Sequence, residues 1–331
     1  MDLENKTVLI TGSDGFVGSH LVERFLEEKC NIRAFVLYNS FNSLGWLDSI
    51  EKEKLKKLDI IAGDIRDYNM VSKAVKNVDF VCHLAALIGI PYSYIAPESY
   101  VETNVKGTIN MVQAAKEHDI EKIVITSTSE VYGSALYTPI DEGHPKQPQS
   151  PYSASKIAAD AMALSYYHSF NTPISVIRPF NIYGPRQSAR AVIPTIITQI
   201  LKKSNVIELG NLSPTRDFTY VKDTCEAYVK IIKSDNVAGE IINIGNSKEI
   251  SIKDLGEKII DLMNSNIEIK SSSKRERVEG SEVNRLNAEI SKAIELINWK
   301  PSYSLDDGLK LTIEWFSKKK NLDQYKLGYT I

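Results

Sequence analysis

Three glycines between a short β-rich run and a helical pattern constrain this chain more than any other feature. The run at residues 7–10 is followed at once by Gly12, Gly15 and Gly18, and apolar residues then recur at helical spacing. This order of strand, turn and helix lets the backbone approach a pyrophosphate, and the helix N-terminus supplies N–H groups and a positive dipole end. It predicts a dinucleotide site formed by Gly12, Asp14, Gly15, Phe16, Val17 and Gly18.

The remaining apolar runs predict a parallel sheet. Strand-like runs at 32–37, 59–65, 79–86, 123–125 and 174–177 alternate with helical patterns, and a run at 240–245 looks like a strand that returns to the same sheet. The predicted fold class is α/β, a Rossmann-like doubly wound parallel sheet with a smaller, interleaved C-terminal α/β substrate domain. We expect residues 1–180 to form the dinucleotide-binding domain, joined by the strand near 240–245. Residues 181–239 and 246–331 then form the substrate-binding region.

Charge and cysteine usage exclude several classes of protein. The formal net charge is −2 over 331 residues, so no global field attracts nucleic acid or an anionic membrane. Cys30, Cys82 and Cys225 are far apart, which predicts buried free thiols in a reducing cytosol and not disulfides or a zinc site. The sequence has no apolar targeting segment and no apolar run near the ~20 residues of a membrane span. We therefore expect a cytoplasmic protein without a metal site.

The end of the second predicted strand bears on which dinucleotide binds. An acidic residue about 20 positions past the glycines holds a ribose 2′-hydroxyl in many such sites. Residues 38–43 contain no acidic residue. Small polar side chains such as Asn39 and Ser40 can instead accept a 2′-phosphate. The sequence therefore favours NADP slightly over NAD.

The ends of the third and fourth predicted strands supply further candidates. Asp64 can accept a hydrogen bond from an adenine amino group, or it can cap the next helix. Ala85 and Ala86 are small enough to let the backbone lie close to a cofactor, whereas His83 is interpreted as a core histidine. Asn104 lies inside a helical pattern at 100–116, where asparagine is a poor helix former, so we expect its amide to have a hydrogen-bonding role.

A phenol and an ammonium stand four residues apart in the middle of the chain. Ser150 can cap a helix whose first position is Pro151. Tyr152 and Lys156 then share one face of that helix. Because a nearby ammonium lowers the pKa of a phenol, Tyr152 is a candidate base near neutral pH.

A second polar cluster, Thr128, Ser129 and Glu130, follows the apolar run at 123–125. It is expected at the carboxyl end of a buried strand, where Thr128 and Glu130 can both reach the pocket of Tyr152 and Lys156. The hydroxyl, carboxylate, phenol and ammonium together predict a catalytic centre.

Taken together, these motifs resemble the extended short-chain dehydrogenase/reductases over essentially the whole chain. Residues 178–181, 184–185 and 216–218 add to the resemblance. Within that superfamily, Thr-x-Glu after the fifth strand is similar to the nucleotide-sugar 4,6-dehydratases, whereas hexose 4-epimerases usually lack the carboxylate. The dTDP-glucose type usually has an aspartate at the position of Ser129, so the hydroxyl at this position resembles the GDP-mannose type. The loops at 38–47, 188–194 and 275–286 resemble enzymes that act on GDP-N-acetylglucosamine in bacterial nonulosonic acid pathways.

The resemblance implies a reaction cycle in which the cofactor is tightly bound and regenerated. Tyr152, assisted by Thr128 and Lys156, takes the proton of the sugar 4-hydroxyl while hydride passes from carbon 4 to the nicotinamide. Glu130 removes the carbon 5 proton, and water leaves from carbon 6. The hydride then returns to carbon 6 and a proton to carbon 5. Because Ser129 stands where the related type has an acid, Glu130 or a water is left to protonate the departing hydroxyl.

The resemblance also implies the ligand contacts. The further cofactor-binding residues are Asn39, Ser40, Asp64, Ile65, Leu84, Ala85, Ala86, Asn104, Tyr152, Lys156 and Pro179. The substrate-binding residues are Thr128, Asn181, Arg186, Val192, Arg216 and Arg277. The arginines suit a diphosphate because a guanidinium donates two parallel hydrogen bonds. Helices near 100–117 and 151–169 can pair across a two-fold axis, so we expect a homodimer, or a tetramer.

The leading hypothesis is an NAD(P)-dependent nucleotide-sugar 4,6-dehydratase. Its product would be a 4-keto-6-deoxy sugar nucleotide made from GDP-N-acetylglucosamine or a related GDP-sugar, for surface glycan or nonulosonic acid synthesis. The alternative is an NDP-hexose 4-epimerase, which would not need Glu130. A third hypothesis is a non-catalytic dinucleotide-binding regulator, and the presence of Tyr152, Lys156 and Glu130 together argues against it.

Overall fold

The computed structural model describes residues 1–278 and 280–326. Its strands are β1 (Thr7–Thr11), β2 (Asn31–Leu37), β3 (Leu58–Gly63), β4 (Phe80–His83), β5 (Lys122–Thr126), β6 (Ile174–Pro179), β7 (Asn181–Tyr183), β8 (Val206–Leu209), β9 (Thr215–Tyr220), β10 (Ile241–Ile244), β11 (Glu249–Ser251) and β12 (Glu268–Ser271). Its α-helices are α1 (Phe16–Leu26), α2 (Lys52–Leu55), α3 (Tyr68–Val75), α4 (Ile90–Ile95), α5 (Pro97–Tyr100), α6 (Gly107–Glu117), α7 (Pro151–Phe170), α8 (Val192–Leu201), α9 (Val221–Lys233), α10 (Ile252–Leu262), α11 (Ser291–Ile297), α12 (Leu305–Ser317) and α13 (Lys319–Leu322). Three 3-10 helices (Gly45–Ser49, Ser129–Tyr132 and Ser273–Arg275) and a π-helix (Val101–Lys106) complete these described elements.

The main sheet has seven strands in the order β10-β6-β5-β4-β1-β2-β3, and all of its pairings are parallel. Successive strand residues face opposite sides, and both sides are apolar. Val8 and Ile10 pack with α1 and α9 in one core, whereas Leu9 packs with α3, α6 and α7 in the other. The predicted Rossmann-like doubly wound sheet is confirmed.

The elements after β6 build a smaller region that is interleaved with the main sheet. Strand β9 pairs parallel with β7 and antiparallel with β11, and β8 pairs parallel with β12. Between these elements β10 returns to the main sheet and pairs with β6, with Ile242 opposite Ile177. Burial of the β10 isoleucines explains this return, because an apolar strand is stable where both of its faces are covered.

The parallel arrangement decides where the site lies. The carboxyl ends of all seven strands meet at one edge of the sheet, and ligands of open α/β sheets bind at that edge. The glycine turn follows β1, residues 38–40 follow β2, and residues 64–65 follow β3. Residues 84–86 follow β4, residues 127–130 follow β5, and Pro179 ends β6.

The segment predicted as one helix at 100–116 is divided in three. The chain passes from α5 through the π-helix Val101–Lys106 into α6. Asn104 is 1% exposed within the π-helix. A π-turn of this kind is frequent at functional sites, since it re-aims one side chain without ending the helix.

His83 and the three cysteines are buried, as the sequence predicted. His83 is buried, and its Nδ1 lies 2.9 Å from Thr11 Oγ1, as expected for a core histidine. Cys30, Cys82 and Cys225 are buried free thiols within the described residues.

Over residues 1–278 and 280–326, the side chains of His, Cys, Asp and Glu form no group suited to hold a metal ion. In the same residues no helix combines the length and apolarity needed to cross a membrane.

Candidate active site

The loop after β5 carries the first half of the candidate site. The strand ends at Thr126, and Thr128 caps the following 3-10 helix by accepting a hydrogen bond from the Glu130 N–H at 3.2 Å. Ser129 is 3% exposed and Glu130 is 9% exposed, so this hydroxyl and carboxylate lie in a nearly water-free environment. The predicted cluster therefore lies at the carboxyl edge of the sheet.

Helix α7 carries the second half. Ser150 accepts a hydrogen bond from the Ser153 N–H, and Ser153 Oγ accepts from the Ser150 N–H, so the two residues form a capping box. Pro151 occupies the first turn, as predicted. Tyr152 and Lys156 follow on the inner face of the helix and are both buried.

Burial shifts the pKa values of both Tyr152 and Lys156. Burial raises the pKa of Tyr152 well above its ordinary value, and a hydrogen bond with Thr128 acts in the opposite direction. The Lys156 ammonium donates to the Thr126 carbonyl at 2.5 Å. Burial also lowers the pKa of Lys156 to about 8, against the influence of Asp160. Thr128 is thus a neighbour that lowers the pKa of the phenol, and the lowering expected from Lys156 stays a prediction.

Asn104, in the π-helix, forms hydrogen bonds with a loop and a helix next to this centre. Its amide oxygen accepts from the Leu87 N–H at 2.8 Å, and its amide nitrogen donates to the Leu87 carbonyl and to Ser155 Oγ, both at 2.9 Å. Ser155 immediately precedes Lys156 in α7. The amide thus connects the loop after β4 to helix α7, which confirms the hydrogen-bonding role expected for Asn104.

The glycine turn has the shape that a pyrophosphate requires. Gly12 has φ +68°, and a Cβ there would lie 3.0 Å from the Ala85 backbone. A Cβ on Gly18 would lie 2.0 Å from the Gly12 carbonyl oxygen. Helix α1 begins at Phe16, directly after its N-cap Gly15, so the helix dipole adds to the bare backbone. These residues fit a dinucleotide pyrophosphate; Val17 follows in the first turn of the helix.

Backbone groups at the ends of β4 and β6 line the same edge. The N–H groups of Leu84 and Ala85 both donate to Thr11 Oγ1 at 3.1 Å, which holds the chain against the glycine turn. Ala86 is half-buried beyond them, and Pro179 is buried at the end of β6, opposite Ile244 of β10.

The loop after β2 uses most of its own polar groups. The Asn39 amide donates to the carbonyls of Leu37 and Ser43, and its oxygen accepts from the N–H groups of Phe41 and Ser43. Ser40 is exposed. The structure therefore keeps Asn39 within its loop.

Acidic groups near this loop are held in two ways. Asp14 accepts from the Leu37 N–H at 3.4 Å, and burial raises the pKa of Asp14. Asp64 forms an ion pair with Arg66, which lowers the pKa of Asp64.

The alternative that Asp64 caps the next helix is wrong, because Asp67 is the N-cap of α3 and accepts from the Met70 N–H. Ile65, next to Asp64, is buried where a Cβ on Gly107 would meet it.

The predicted substrate residues lie around a cavity formed by the smaller region. Its lining includes Asn181, Val192, Arg216 and Arg277 and also Arg190, Arg275 and Glu282. Arg186 lies elsewhere: its guanidinium pairs with Glu23 at 2.7 Å and donates to Ser19 at 3.2 Å on α1. The structure therefore brings four of the predicted residues together and attaches Arg186 to helix α1.

Ion pairs cross this cavity. Arg216 Nη2 donates to Glu282 Oε1 at 3.0 Å. Arg277 Nη1 lies 3.8 Å from Glu130 Oε1 and 3.9 Å from Glu282 Oε1. Arg277 therefore connects the candidate catalytic carboxylate to the candidate nucleotide pocket. Sequence reasoning missed Glu282; its signal was an acidic residue five positions after Arg277 in a polar loop.

Known proteins share both this sequence pattern and this fold. The family model described as GDP-mannose 4,6 dehydratase matches residues 9–312. The dTDP-D-glucose 4,6-dehydratase of Bos taurus is 33% identical over 97% of this chain and 91% of its own length. The UDP-N-acetylglucosamine 4-epimerase of Methanobrevibacter ruminantium M1 superposes with a TM-score of 0.86 at 30% identity, covering 97% of this chain and 100% of the other.

A dehydratase structure superposes almost as well. DesIV, the dTDP-glucose 4,6-dehydratase of Streptomyces venezuelae in its NAD-bound crystal structure, gives a TM-score of 0.85 at 27% identity over 96% of this chain and 98% of its own. The family match, which covers most of the chain, and the agreement in fold lead to one conclusion. This chain belongs to the GDP-mannose 4,6-dehydratase family of nucleotide-sugar dehydratases and epimerases, within the extended short-chain dehydrogenase/reductases.

Proposed function

We propose that this protein is a nucleotide-sugar 4,6-dehydratase that makes a 4-keto-6-deoxy sugar nucleotide. The observation that carries the proposal is the buried carboxylate of Glu130, whose charge acts on Tyr152 within the same pocket. Dehydration needs an acid/base group in addition to the group that serves the 4-hydroxyl, because a proton must leave carbon 5 and a hydroxyl must leave carbon 6. Glu130 supplies that group.

The remaining roles follow from the contacts. Tyr152 takes the proton of the sugar 4-hydroxyl, and the Thr128 hydrogen bond stabilises the resulting phenolate. Lys156, held by the Thr126 carbonyl, adds positive charge next to the cofactor edge of the sheet. When bound, the dinucleotide supplies temporary storage of the hydride from carbon 4. Glu130 removes the carbon 5 proton, and Glu130 or a water held near Ser129 protonates the departing hydroxyl.

NAD is the dinucleotide proposed for this site. The Asn39 amide is used by its own loop, and residues 38–48 contain no lysine or arginine that would pair with a 2′-phosphate. DesIV, a member with the same fold, binds NAD. These observations weigh against the slight sequence-based preference for NADP, which stays a prediction. The glycine turn, the β4 end and Asp14 would hold the dinucleotide.

The substrate is proposed to be GDP-N-acetylglucosamine or a related GDP-sugar, used in surface glycan or nonulosonic acid synthesis. The family model and the hydroxyl of Ser129, in place of an aspartate, favour the GDP type. Arg190, Arg216 and Arg277 line the cavity, and guanidinium groups suit its diphosphate.

A homodimer through α6 and α7 is part of the proposal. The exposed positions of α7 include Ala154, Ala161 and Ser165, and these small side chains permit close packing of a second helix. A tetramer is the alternative assembly.

An NDP-hexose 4-epimerase is the second candidate function. The observation in its favour is the similarity to the Methanobrevibacter ruminantium epimerase, whose TM-score is 0.86. An epimerase of this kind has no use for Glu130, so the product distinguishes the two functions.

The test is product mass. The purified protein is incubated with NAD or NADP and with GDP-N-acetylglucosamine, GDP-mannose, dTDP-glucose or UDP-N-acetylglucosamine in separate reactions. We expect a GDP-sugar to lose the mass of one water, with faster turnover on NAD. An isomer of unchanged mass establishes the epimerase instead. Binding without any turnover contradicts both functions and supports the non-catalytic regulator.

Turnover is expected to fall as the pH rises through about 8, because the buried Lys156 loses its charge there. The lowered pKa means that the ammonium is charged below this pH and neutral above it. In Lys156→Arg the remaining turnover should lack this alkaline limb, since arginine stays charged. The measurement is kcat/KM between about pH 6 and 10 for both proteins. An alkaline limb at the same pH in both contradicts the assignment.

A further inference from the structure

Glu282 is a carboxylate in an arginine-lined cavity for which the proposed reaction gives no role. It lies on the chain that follows the 3-10 helix Ser273–Arg275, and its Oε1 accepts from Arg216 Nη2 at 3.0 Å. Arg216 is 5% exposed, so this bond is shielded from water. The same Oε1 lies 3.9 Å from Arg277 Nη1. A carboxylate between two guanidinium groups occupies the kind of position that a diphosphate would need.

Arg277 stands between two competing carboxylates. Its Nη1 is 3.8 Å from Glu130 and 3.9 Å from Glu282, distances that are too long for a hydrogen bond. This nitrogen is buried and has no hydrogen-bond partner among the described residues. A buried unpaired donor is unfavourable, so the guanidinium gains energy by closing on any one anion.

We propose that Glu282 is a positioning residue that keeps Arg277 from closing on Glu130 and holds the place of the diphosphate until the nucleotide binds. Glu130 then remains available to remove a proton, and the arriving diphosphate takes over Arg216 and Arg277. The part of the inference that concerns Glu130 rests on the proposed dehydratase function. The part that concerns nucleotide binding does not.

The charges that face Glu130 come from several elements. Tyr152 faces it from α7, Arg216 from β9, and Arg277 from the segment after the 3-10 helix Ser273–Arg275. Glu282 acts on it through Arg277. Removal of the Glu282 charge leaves Glu130 as the single carboxylate near Arg277 among the described ion pairs, so the pair between them tightens.

Glu282→Gln separates charge from hydrogen bonding. The amide oxygen of glutamine can still accept from Arg216 Nη2, so the pocket keeps its shape. The variant lacks the negative charge that opposes a diphosphate a few ångströms away. We expect the Kd of GDP to fall by about fivefold, with UDP and dTDP tightening by a similar factor because the diphosphate is shared.

Titration calorimetry with GDP, UDP and dTDP measures this directly and needs no turnover. Glu276→Gln is the matched control, since it removes the same charge from an exposed residue of the same segment and should leave all three Kd values unchanged. Equal Kd values for the wild type and Glu282→Gln overturn the proposal, as does an equal change in Glu276→Gln or an absence of binding by all three nucleotides.

The catalytic part has its own readout. In Glu282→Gln the closer Arg277 should stabilise the Glu130 carboxylate. The acidic limb of the pH profile, where kcat declines at low pH, should then move to lower pH. Both kcat and KM should fall. Glu282→Gln/Arg277→Met should lose this movement of the limb, because no guanidinium remains to close on Glu130. An unchanged acidic limb in Glu282→Gln overturns this part. Tighter nucleotide binding by Glu282→Gln, together with no dehydrated product from the wild type, contradicts the proposed function and leaves the nucleotide role of Glu282 standing.

Discussion

Glu130→Gln is expected to lower kcat by about a thousandfold while the protein stays folded and binds its dinucleotide. General-base catalysis typically contributes 10²–10⁴-fold, and a buried amide cannot accept the carbon 5 proton. The variant should still oxidise carbon 4 of the sugar, since Thr128, Tyr152 and Lys156 are intact. It should then stall before water leaves.

The stall can be observed in heavy water. Wild-type turnover should place deuterium at carbon 5 of the product, whereas Glu130→Gln should show neither product nor exchange at that carbon. Ser129→Ala is the matched neighbouring control, because a hydroxyl cannot remove the carbon 5 proton and its loss should leave exchange intact. Undiminished turnover in Glu130→Gln refutes the dehydratase assignment. Ordinary turnover with an isomeric product establishes the epimerase.

Arg178→Met should lower the free energy of unfolding by about 4 kcal/mol, or about 6 °C in Tm. Arg178 and Asp160 are both 0% exposed, and Arg178 Nη2 donates to Asp160 Oδ2 at 2.9 Å. Ser127 Oγ also donates to this carboxylate at 2.7 Å. Loss of the guanidinium leaves a buried carboxylate with one hydroxyl donor, which explains the size of the effect.

The control for this prediction removes both charges. Asp160→Asn/Arg178→Met should recover much of the lost stability, because no uncompensated charge remains in the core. Lys56→Met breaks an ion pair whose members are 70% and 79% exposed, and it should leave Tm unchanged. Thermal unfolding of the four proteins measures the comparison. A single variant as stable as the wild type contradicts the prediction.

This buried pair also explains how helix α7 is anchored to the sheet. Asp160 lies one turn after Lys156 on α7, and Arg178 is in β6. Arg178 Nη1 donates to the Tyr132 hydroxyl at 3.0 Å, and that hydroxyl donates to Asn243 Oδ1 of β10 at 2.7 Å. The late strand β10 is thereby connected to the loop after β5 and to helix α7 through polar contacts as well as through the sheet ladder.

Local features of the sequence were enough to predict the elements that carry the site. The glycine turn between β1 and α1 is specified by backbone sterics, since a side chain at Gly18 would collide with Gly12. The start of α7 is specified by Ser150 and Pro151, whose capping role depends on adjacent residues alone. Apolar runs predicted the sheet, because burial on both faces requires continuous hydrophobic strands.

The residues within these elements could also be assigned to one edge of the sheet. Thr128 and Glu130 were expected at the carboxyl end of a buried strand, and parallel strands place such ends together. The misfit of Asn104 in a helical pattern predicted a hydrogen-bonding role for its amide, since asparagine is a poor helix former. The sequence by itself thus determined the fold class, the family and the members of the candidate centre.

Tertiary structure alone decided how these groups act on one another. Arg277 and Glu130 are far apart in the chain, and only folding places them 3.8 Å apart with Glu282 alongside. The same holds for Arg186, which pairs with Glu23 of α1 and not with the nucleotide pocket. Burial, which no local pattern measures, raises the pKa of Tyr152. Folding also brings Thr128 close enough to lower that pKa through a hydrogen bond. Residue types and spacing specify which groups are present, whereas through-space distance and loss of water determine their charges and partners.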